Sequence, residues 1–369
     1  MAGLKNIVFT VTNDLSYDQR MKRICTALTE AGYHVTLIGF EKRASIPLQP
    51  SVYEEKRLRL LFRKGKLFYL EYNLRLFFLL LLGRRYEIYG PVDLDTILPQ
   101  FIVAKLKRAV LVYDAHEYFT ELPEIADRPL IKYIWEAIAR LTLPYIRYNY
   151  TVGNAIALEL TKRYGQPYEV IRNVPAYYEA PMQHESKERK VFLYQGALNK
   201  GRGIEEMMLA VQDMDVELHI AGEGDLSEEL RAFAQALPHT DKIKFLGYVE
   251  PARLIEITTK AYAGLNLVSN EGKSYYLSLS NKFFDYIMAG IPQVTMNYPE
   301  YEVLNMEYDV ALTISHLSVE PLKDAMLQLL GDNAVYSRLK SNTRNAAKML
   351  NWQIEKEKLL NIYAGISKS

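Results

Sequence analysis

The sequence predicts an α/β protein made of two doubly wound parallel-sheet domains. Two observations carry that expectation. Apolar, β-branched runs alternate with helix-period segments along almost all of the 369 residues, which is the pattern of βαβ units. The alternation breaks once, at 174–189, where the chain turns polar, carries two prolines and loses its period. The length suffices for two domains with separate cores, and apolar and charged fractions of 49% and 24% are ordinary for a globular protein. The expected division is 1–173, a linker at 174–189, 190–350, and a terminal helix at 351–369.

In the first domain, 6–12 is an apolar strand. Ser16 and Gln19 have capping-box spacing, and Tyr17, Met21, Ile24, Cys25 and Leu28 then recur at a helical period. Gly32 ends that helix before the strand His34–Phe40, and further strands are expected at 110–113 and 150–152. The second domain has strand-like runs at Lys190–Gln195, Val216–Ala221, 242–249, 263–269, 293–297 and 310–314. Asp225 and Glu228 are a second capping pair, before a helix through Leu237. The terminal helix offers Ile354, Leu359 and Ile362 as contacts.

Composition narrows the function. A formal net charge of +1 gives no global attraction to nucleic acid. The single cysteine, Cys25, lies in phase with an apolar helix face, so it reads as core, and a lone cysteine points to a reducing, cytoplasmic compartment. Residue 6 already opens a strand, so no signal peptide is expected. The most apolar run, 76–82, is far shorter than the ~20 residues a membrane span needs. Its surroundings support two readings. Lys56, Arg57, Arg59, Arg63, Lys64 and Lys66 precede it and Arg84 and Arg85 follow, interleaved with leucines and aromatics. That mixture suits an interfacial helix on an anionic membrane across 56–85, or a buried helix pair with solvated basic ends.

No G-x-G-x-x-G follows the first strand, which disfavours a nicotinamide-binding domain. The turn there offers Asn13, Asp14 and Arg20, either as acceptor-side ligands or as turn and cap chemistry in which Asn13 and Ser16 satisfy the backbone. His116 and Glu117 close the apolar strand ending in Tyr113-Asp-Ala-His-Glu. In the second domain, Gly196 permits close backbone approach to a ligand, Arg202 offers a bidentate grip on diphosphate, and Lys200 adds charge. Gly222 and Gly224 form a strand-to-helix turn. Residues 278–292 read as a short helix: Ser280 as N-cap, Gly290 and Pro292 as the stop. Its N-terminal amides and Lys282 suit a phosphate, and Asp285 one turn on can accept from two sugar hydroxyls. An amphipathic helix whose charges face water is the plainer alternative. The histidines are dispersed and Asp93-Leu-Asp95 resembles a helix N-terminus, so neither a metal nor a cofactor is expected.

The string 278–292 resembles the donor-binding helix of the retaining glycosyltransferases of family 4, whose motif in one branch is close to S-L-P-N-K-x-F-E-Y-x-x-A-G-x-P. Here Ser280 stands for the proline and Asp285 for the glutamate. Similar Asp-x-His-Glu strings occur in that branch. Gly196 to Gly203 matches its Gly-Arg-Leu…Lys-Gly loop, with Ala197 in place of the arginine and Arg202 for the lysine. The resemblance implies a GT-B fold whose two Rossmann-like domains face across a cleft, with the terminal helix crossing back to the first. It implies transfer of a sugar from a nucleoside-diphosphate sugar to an acceptor hydroxyl with retention and without metal, in cell-surface polysaccharide or glycolipid assembly. Saccharide or lipid-linked acceptors, and a place at the inner face of the plasma membrane, follow from the same resemblance. His116 and Glu117 would lie near the transferring sugar; Gly196, Lys200, Arg202, Gly222, Gly224, Ser280, Asn281, Lys282 and Asp285 would bind the donor. The family's first acid falls on Leu277, a position for which Asn270 or Glu271 is the candidate substitute. A sugar-nucleotide epimerase of the same fold and a non-catalytic nucleotide-sugar binder remain the alternatives.

Overall fold

A computed structural model describes residues 6–16, 18–42, 45, 47–180 and 189–368 of the chain. Tyr17, expected on the first helix face, and residues 181–188 of the expected linker lie outside them. The chain divides into two compact units, Met1–Asn173 with Glu355–Ser369, and Val174–Ile354.

In the first unit, β1 (Asn6–Thr10), β2 (His34–Phe40), β3 (Glu54–Leu58), β4 (Ile88–Pro91), β5 (Val110–Ala115), β6 (Tyr148–Thr151) and β7 (Glu169–Val170) form one sheet, in the order β3-β2-β1-β4-β5-β6-β7. All pairings are parallel. Strand order reverses between β1 and β4, where doubly wound sheets place their ligands. The helix Gln19–Glu30 begins later than the Ser16–Gln19 spacing predicts. Asp18 is its N-cap and accepts from the Met21 amide at 3.0 Å. Cys25 is fully buried on its inner face. β3, with the sequence Glu-Glu-Lys-Arg-Leu, overlaps the start of the segment read above as a basic flank. Lys56 and Arg57 are therefore strand residues, and Arg57 is drawn inward to Asp14.

The helix Trp352–Lys368 ends the chain, and its part from Glu355 onward belongs to the first unit. Glu355 accepts from the Arg172 amide at 2.9 Å, Lys356 pairs with Glu30, and Tyr363 meets the rings of Phe9 and Tyr33. Its buried row is Glu355, Leu359, Tyr363 and Ile366, whereas Ile354, expected as a contact, is exposed.

The second unit repeats the winding. β8 (Lys190–Gln195), β9 (Val216–Ala221), β10 (Ile243–Gly247), β11 (Ala263–Asn266), β12 (Gln293–Met296) and β13 (Ala311–Ile314) form an all-parallel sheet in the order β10-β9-β8-β11-β12-β13. Order reverses between β8 and β11. The helix after β9 is Ser227–Gln235, and the Asp225–Glu228 box is not formed: the Ser227 hydroxyl instead accepts from the Gly224 amide at 2.8 Å.

The helix Asn281–Met288 is seated at the β8–β11 switch. Tyr286 lies over Gly264, where any Cβ would come within 2.3 Å of its ring, and donates to the Leu193 carbonyl at 2.9 Å. Gly290 ends the helix at φ +71°. Its amide donates to Ile287 and that of Ile291 to Tyr286, the paired bonds of a Schellman motif. A Cβ at Gly290 would meet nothing closer than 3.6 Å, so only the backbone resists substitution. Gly290→Ala is accordingly expected to cost about 1 kcal/mol, read as a lower urea midpoint with an unchanged slope.

Candidate functional site

The second unit gathers its polar groups around the end of β8. Gly196, at φ +136°, follows that strand, and a Cβ there would lie 3.4 Å from Cε and 3.9 Å from Nζ of Lys282. Gly222 is closer still to the same loop: a Cβ on it would sit 1.9 Å from the Gly196 carbonyl oxygen, so the turn closes only with glycine. Gly224 packs likewise on the backbone of Leu198. Arg202 is half-buried with its guanidinium 5.0 Å from the ring centre of Tyr275. The hydroxyl of Ser269, beside Gly201, is buried without a hydrogen-bond partner among the described residues.

Lys282 does not share a solvent-facing side with Asp285. It is buried, with Nζ 4.9 Å from the ring centre of Tyr194, and it makes no ion pair among the described residues. Burial, reinforced by the positive charge of Arg202, lowers its ammonium to about 7. Asp285 is half-buried and accepts from Gln195 Nε2 at 2.9 Å. Gln195 is in turn fixed by Thr258, whose hydroxyl donates to its Oε1 at 2.7 Å. Ser280 occupies the N-cap position, but its hydroxyl caps no amide; its own N–H donates to the Tyr301 hydroxyl at 2.9 Å. Asn281 is exposed at the helix start, and Asn270 is exposed in the preceding loop. Lys200 and Glu271 pair with each other at 3.1 Å on the surface, and Leu277 is a buried core residue.

The first unit has its own polar cluster at the ends of β1, β4 and β5. Arg20 is buried. It binds Asp114 at 2.9 Å and the Ile171 carbonyl at 2.9 Å, so its guanidinium supports β5 and does not open toward an acceptor. Asp114 holds His116 Nε2 at 3.0 Å from its other oxygen, and the His116 amide donates to Asp93 at 2.8 Å. Burial alone would raise the Asp114 carboxyl, but Arg20 and His116 outweigh it and bring it down to about 2. Burial would likewise lower His116, and Asp114 instead raises it to about 9, so the ring is an imidazolium at neutral pH. Asp95, buried and bound by the Thr12 hydroxyl, is pushed up to about 7, and burial carries Asp93 well above the carboxylate range. Asp93 stands at φ +54°. The pair read as a helix start does precede a helix, yet it also walls the His116 site.

Asp14 is buried and satisfied by Arg57 at 2.8 Å, the Ser16 amide at 3.1 Å and the Ser45 hydroxyl. Asn13 is exposed and donates to Asp18 at 3.3 Å. The turn after β1 is therefore held by its own hydrogen bonds together with Arg57 of β3 and Ser45. Glu117 is exposed next to His116. Gln195 and Thr258 had no signal as site residues, because what singles them out is a partner distant in sequence. Asp93 and Asp95 were visible only as a spacing that resembled a helix start, and Gln195 and Ser269 only as the ends of their strands. Among the described residues no cluster of histidine, cysteine and acids is arranged to hold a metal.

Residues 179–346 match the family model of the glycosyl transferases group 1. That match falls within the second unit, apart from the first, and takes in less than half of the chain. No curated protein matches the chain by sequence. Solved structures match it over nearly all its length. Anabaena HepE in complex with UDP and glucose is 12% identical with a TM-score of 0.76, over 98% of this chain and 99% of that one. Sucrose-phosphate synthase of Thermosynechococcus elongatus is 15% identical with a TM-score of 0.75, over 98% and 99%. A glycosyltransferase of Rickettsia africae is 12% identical with a TM-score of 0.73, over all of both chains. The chain has the fold of these proteins, GT-B, with two Rossmann-like parallel-sheet domains. The group 1 match covers Gly196, Arg202, Lys282 and Asp285, the residues gathered at the end of β8.

Asp114 is what keeps His116 charged. In a proton NMR titration His116 is expected to change protonation near pH 9. Asp114→Asn is expected to bring that titration down toward or below the ordinary histidine value of about 6.5, since burial and Arg20 are then opposed only by Asp93. A titration that stays near 9 in the variant would show that another group holds the proton.

Proposed function

We propose that this protein is a glycosyltransferase that moves a sugar from a nucleoside-diphosphate sugar to an acceptor hydroxyl. The observation that carries the reading is the Lys282 amine, buried beside the Gly196 loop with no carboxylate bound to it among the described residues. A cation buried in that way is stabilised by an anion, and the diphosphate of the donor supplies one. Arg202, held against Tyr275, adds a second positive group of fixed orientation. Asp285, aimed by Gln195, takes the ribose hydroxyls. The family match over 179–346 and the folds of the structural neighbours support the same chemistry.

The finer reading is family 4, retaining and metal-independent. Arg202 and Lys282 stabilise the departing diphosphate, the work a divalent ion does elsewhere. His116, as an imidazolium, serves as a hydrogen-bond donor that positions the sugar or the acceptor, not as a base. In front-face attack the bond from the anomeric carbon to the diphosphate oxygen breaks as that to the acceptor oxygen forms. The acceptor proton passes to the departing phosphate oxygen, the basic group nearest the reacting atoms. The Lys200–Glu271 pair bears on the unmatched first acid: Glu271 can take up that work only by leaving Lys200, and an exposed pair costs little to break. Glycolipid or polysaccharide assembly at the cytoplasmic face is the setting that the family resemblance favours.

The test is a thermal-shift screen against UDP-, GDP-, ADP- and CMP-sugars, followed by assay of sugar transfer with the best donor. Lys282→Met is expected to raise the melting temperature of the ligand-free protein by ~2 °C or more, since it removes an unpaired buried cation. It is expected to abolish the donor-induced shift as well. The sign follows from the amine: the unfolded chain holds that proton up to about pH 10.5 and the folded chain releases it near 7. The wild type therefore gains stability between those values as pH rises, and Lys282→Met loses that dependence. Asp285→Ala is expected to weaken donor binding about tenfold or more. A donor shift intact in both variants refutes this site; donor turnover giving only an epimerised nucleotide sugar refutes transfer.

A further inference from the structure

We propose that the helical layer over β4 and β5 of the first unit is a docking face for an anionic lipid bilayer. The helix Gly65–Leu82 is apolar on two opposite sides. Phe68, Tyr72, Leu76 and Leu80, spaced by four, are buried. Leu67, Leu70, Leu74, Phe78 and Leu82 recur at i, i+3, i+7, i+11 and i+15, which places them on the opposite side, and all are exposed. A helix lying on one domain can bury only one of two such rows.

The neighbouring helices repeat the arrangement. Right-handed crossovers from β3 to β4, β4 to β5 and β5 to β6 put Gly65–Leu82, Ile97–Lys107 and Pro129–Thr142 on one face of the sheet. They pack in series there. Leu98, Ile102 and Leu106 form an exposed row on the second, and Leu130, Ile134 and Leu141 on the third. Leu82, Leu106 and Leu130 are 81%, 64% and 66% exposed, fractions unusual for leucine on three adjacent elements.

Charge selects the occupant. Leaving out Arg59 and Arg84, which Glu41 and Glu54 hold, the chain from Arg63 to Arg85 has five basic residues and one acid, Glu71, and from Thr96 to Tyr113 three basic residues and none. The whole chain is nearly neutral, so this surplus is local. Glu71 is already bound by Arg75 and by the amides of Leu61 and Phe62. Arg63, Lys64 and Lys66 are exposed at the start of the first apolar row and make no ion pair among the described residues. Apolar rows bordered by free cations match the acyl and headgroup layers of an anionic membrane. A second copy of the chain would bring the same positive surplus to the contact. No helix among the described residues is long and apolar enough to cross a bilayer, so the face lies on the surface of one. Arg57 and Arg84 take no part: Asp14 holds the first and Glu54 the second. The inference does not depend on the donor chemistry.

The experiment is co-sedimentation of the full chain with vesicles of phosphatidylcholine alone or mixed with phosphatidylglycerol. Retention is expected on the mixed vesicles, weak on the neutral ones, and falling with added salt. Arg63, Lys64 and Lys66 changed together to Gln are expected to weaken it about a hundredfold. Leu70, Leu74 and Phe78 changed together to Gln are expected to weaken it about tenfold or more. These positions are exposed, and circular dichroism with the donor-induced thermal shift checks that each variant is folded. Equal retention on both vesicles, retention unchanged in either variant, or a homodimer that the apolar variant abolishes while vesicles go unbound would overturn the proposal.

Discussion

A lysine amine buried with no carboxylate bound to it among the described residues is the constraint around which the second unit is organised. Lys282 reaches its position because Tyr286, one turn along, is locked over Gly264 and tied to the Leu193 carbonyl. The helix cannot turn to release it, since Phe283, Phe284, Ile287 and Met288 are all buried as well. The loops that surround the amine are shaped by backbone, not by side chains: Gly196 and Gly222 touch at a distance no Cβ permits. The consequence is a buried amine whose charged form is destabilised until an anion arrives. Stability is given up there for affinity, a pattern common where structure serves binding.

The first unit treats its charges in the opposite way. Arg20, Asp114 and His116 form a buried chain in which every charge has a partner, and each partner reinforces the next. Asp114 is central: its carboxylate is kept ionised by Arg20 and keeps His116 protonated in turn. Arg20, on a helix separated from β5 by most of the domain's sequence, thus acts on His116 without touching it. One unit holds a cation in want of a ligand, and the other presents a cation already fixed in place.

The sequence was most legible where local rules suffice. Periodicity located the two windings and most strands, and the end of the helix Asn281–Met288 was readable from Gly290 and Pro292 because a Schellman stop depends on a few adjacent residues. It failed where long-range pairing decides. β3 was invisible because Glu-Glu-Lys-Arg-Leu has no strand-like alternation of apolar and polar residues; its place comes from pairing with β2 and from Asp14 drawing in Arg57. Both capping boxes misled: Asp18 caps the first helix in place of Ser16, and the Asp225 amide of the second box donates to Asn199 instead. At the candidate site, Lys282, Asp285, Arg202 and His116 stood out as chemical types. Their states did not: the burial of Lys282, the hold of Gln195 on Asp285 and the charge on His116 are all set by residues far away in the chain.

Lys282 is the most direct point of test. Titration calorimetry of the cognate nucleoside diphosphate at about pH 8, in buffers of different ionisation enthalpy, counts the protons taken up on binding. At that pH the diphosphate has no titrating proton of its own, and an amine resting near 7 is mostly neutral until the anion binds. The account predicts uptake approaching one proton per nucleotide, diminishing as the pH is lowered below 7. Binding with no proton uptake at pH 8 would contradict it, because the anion would then be held by charges other than the buried amine.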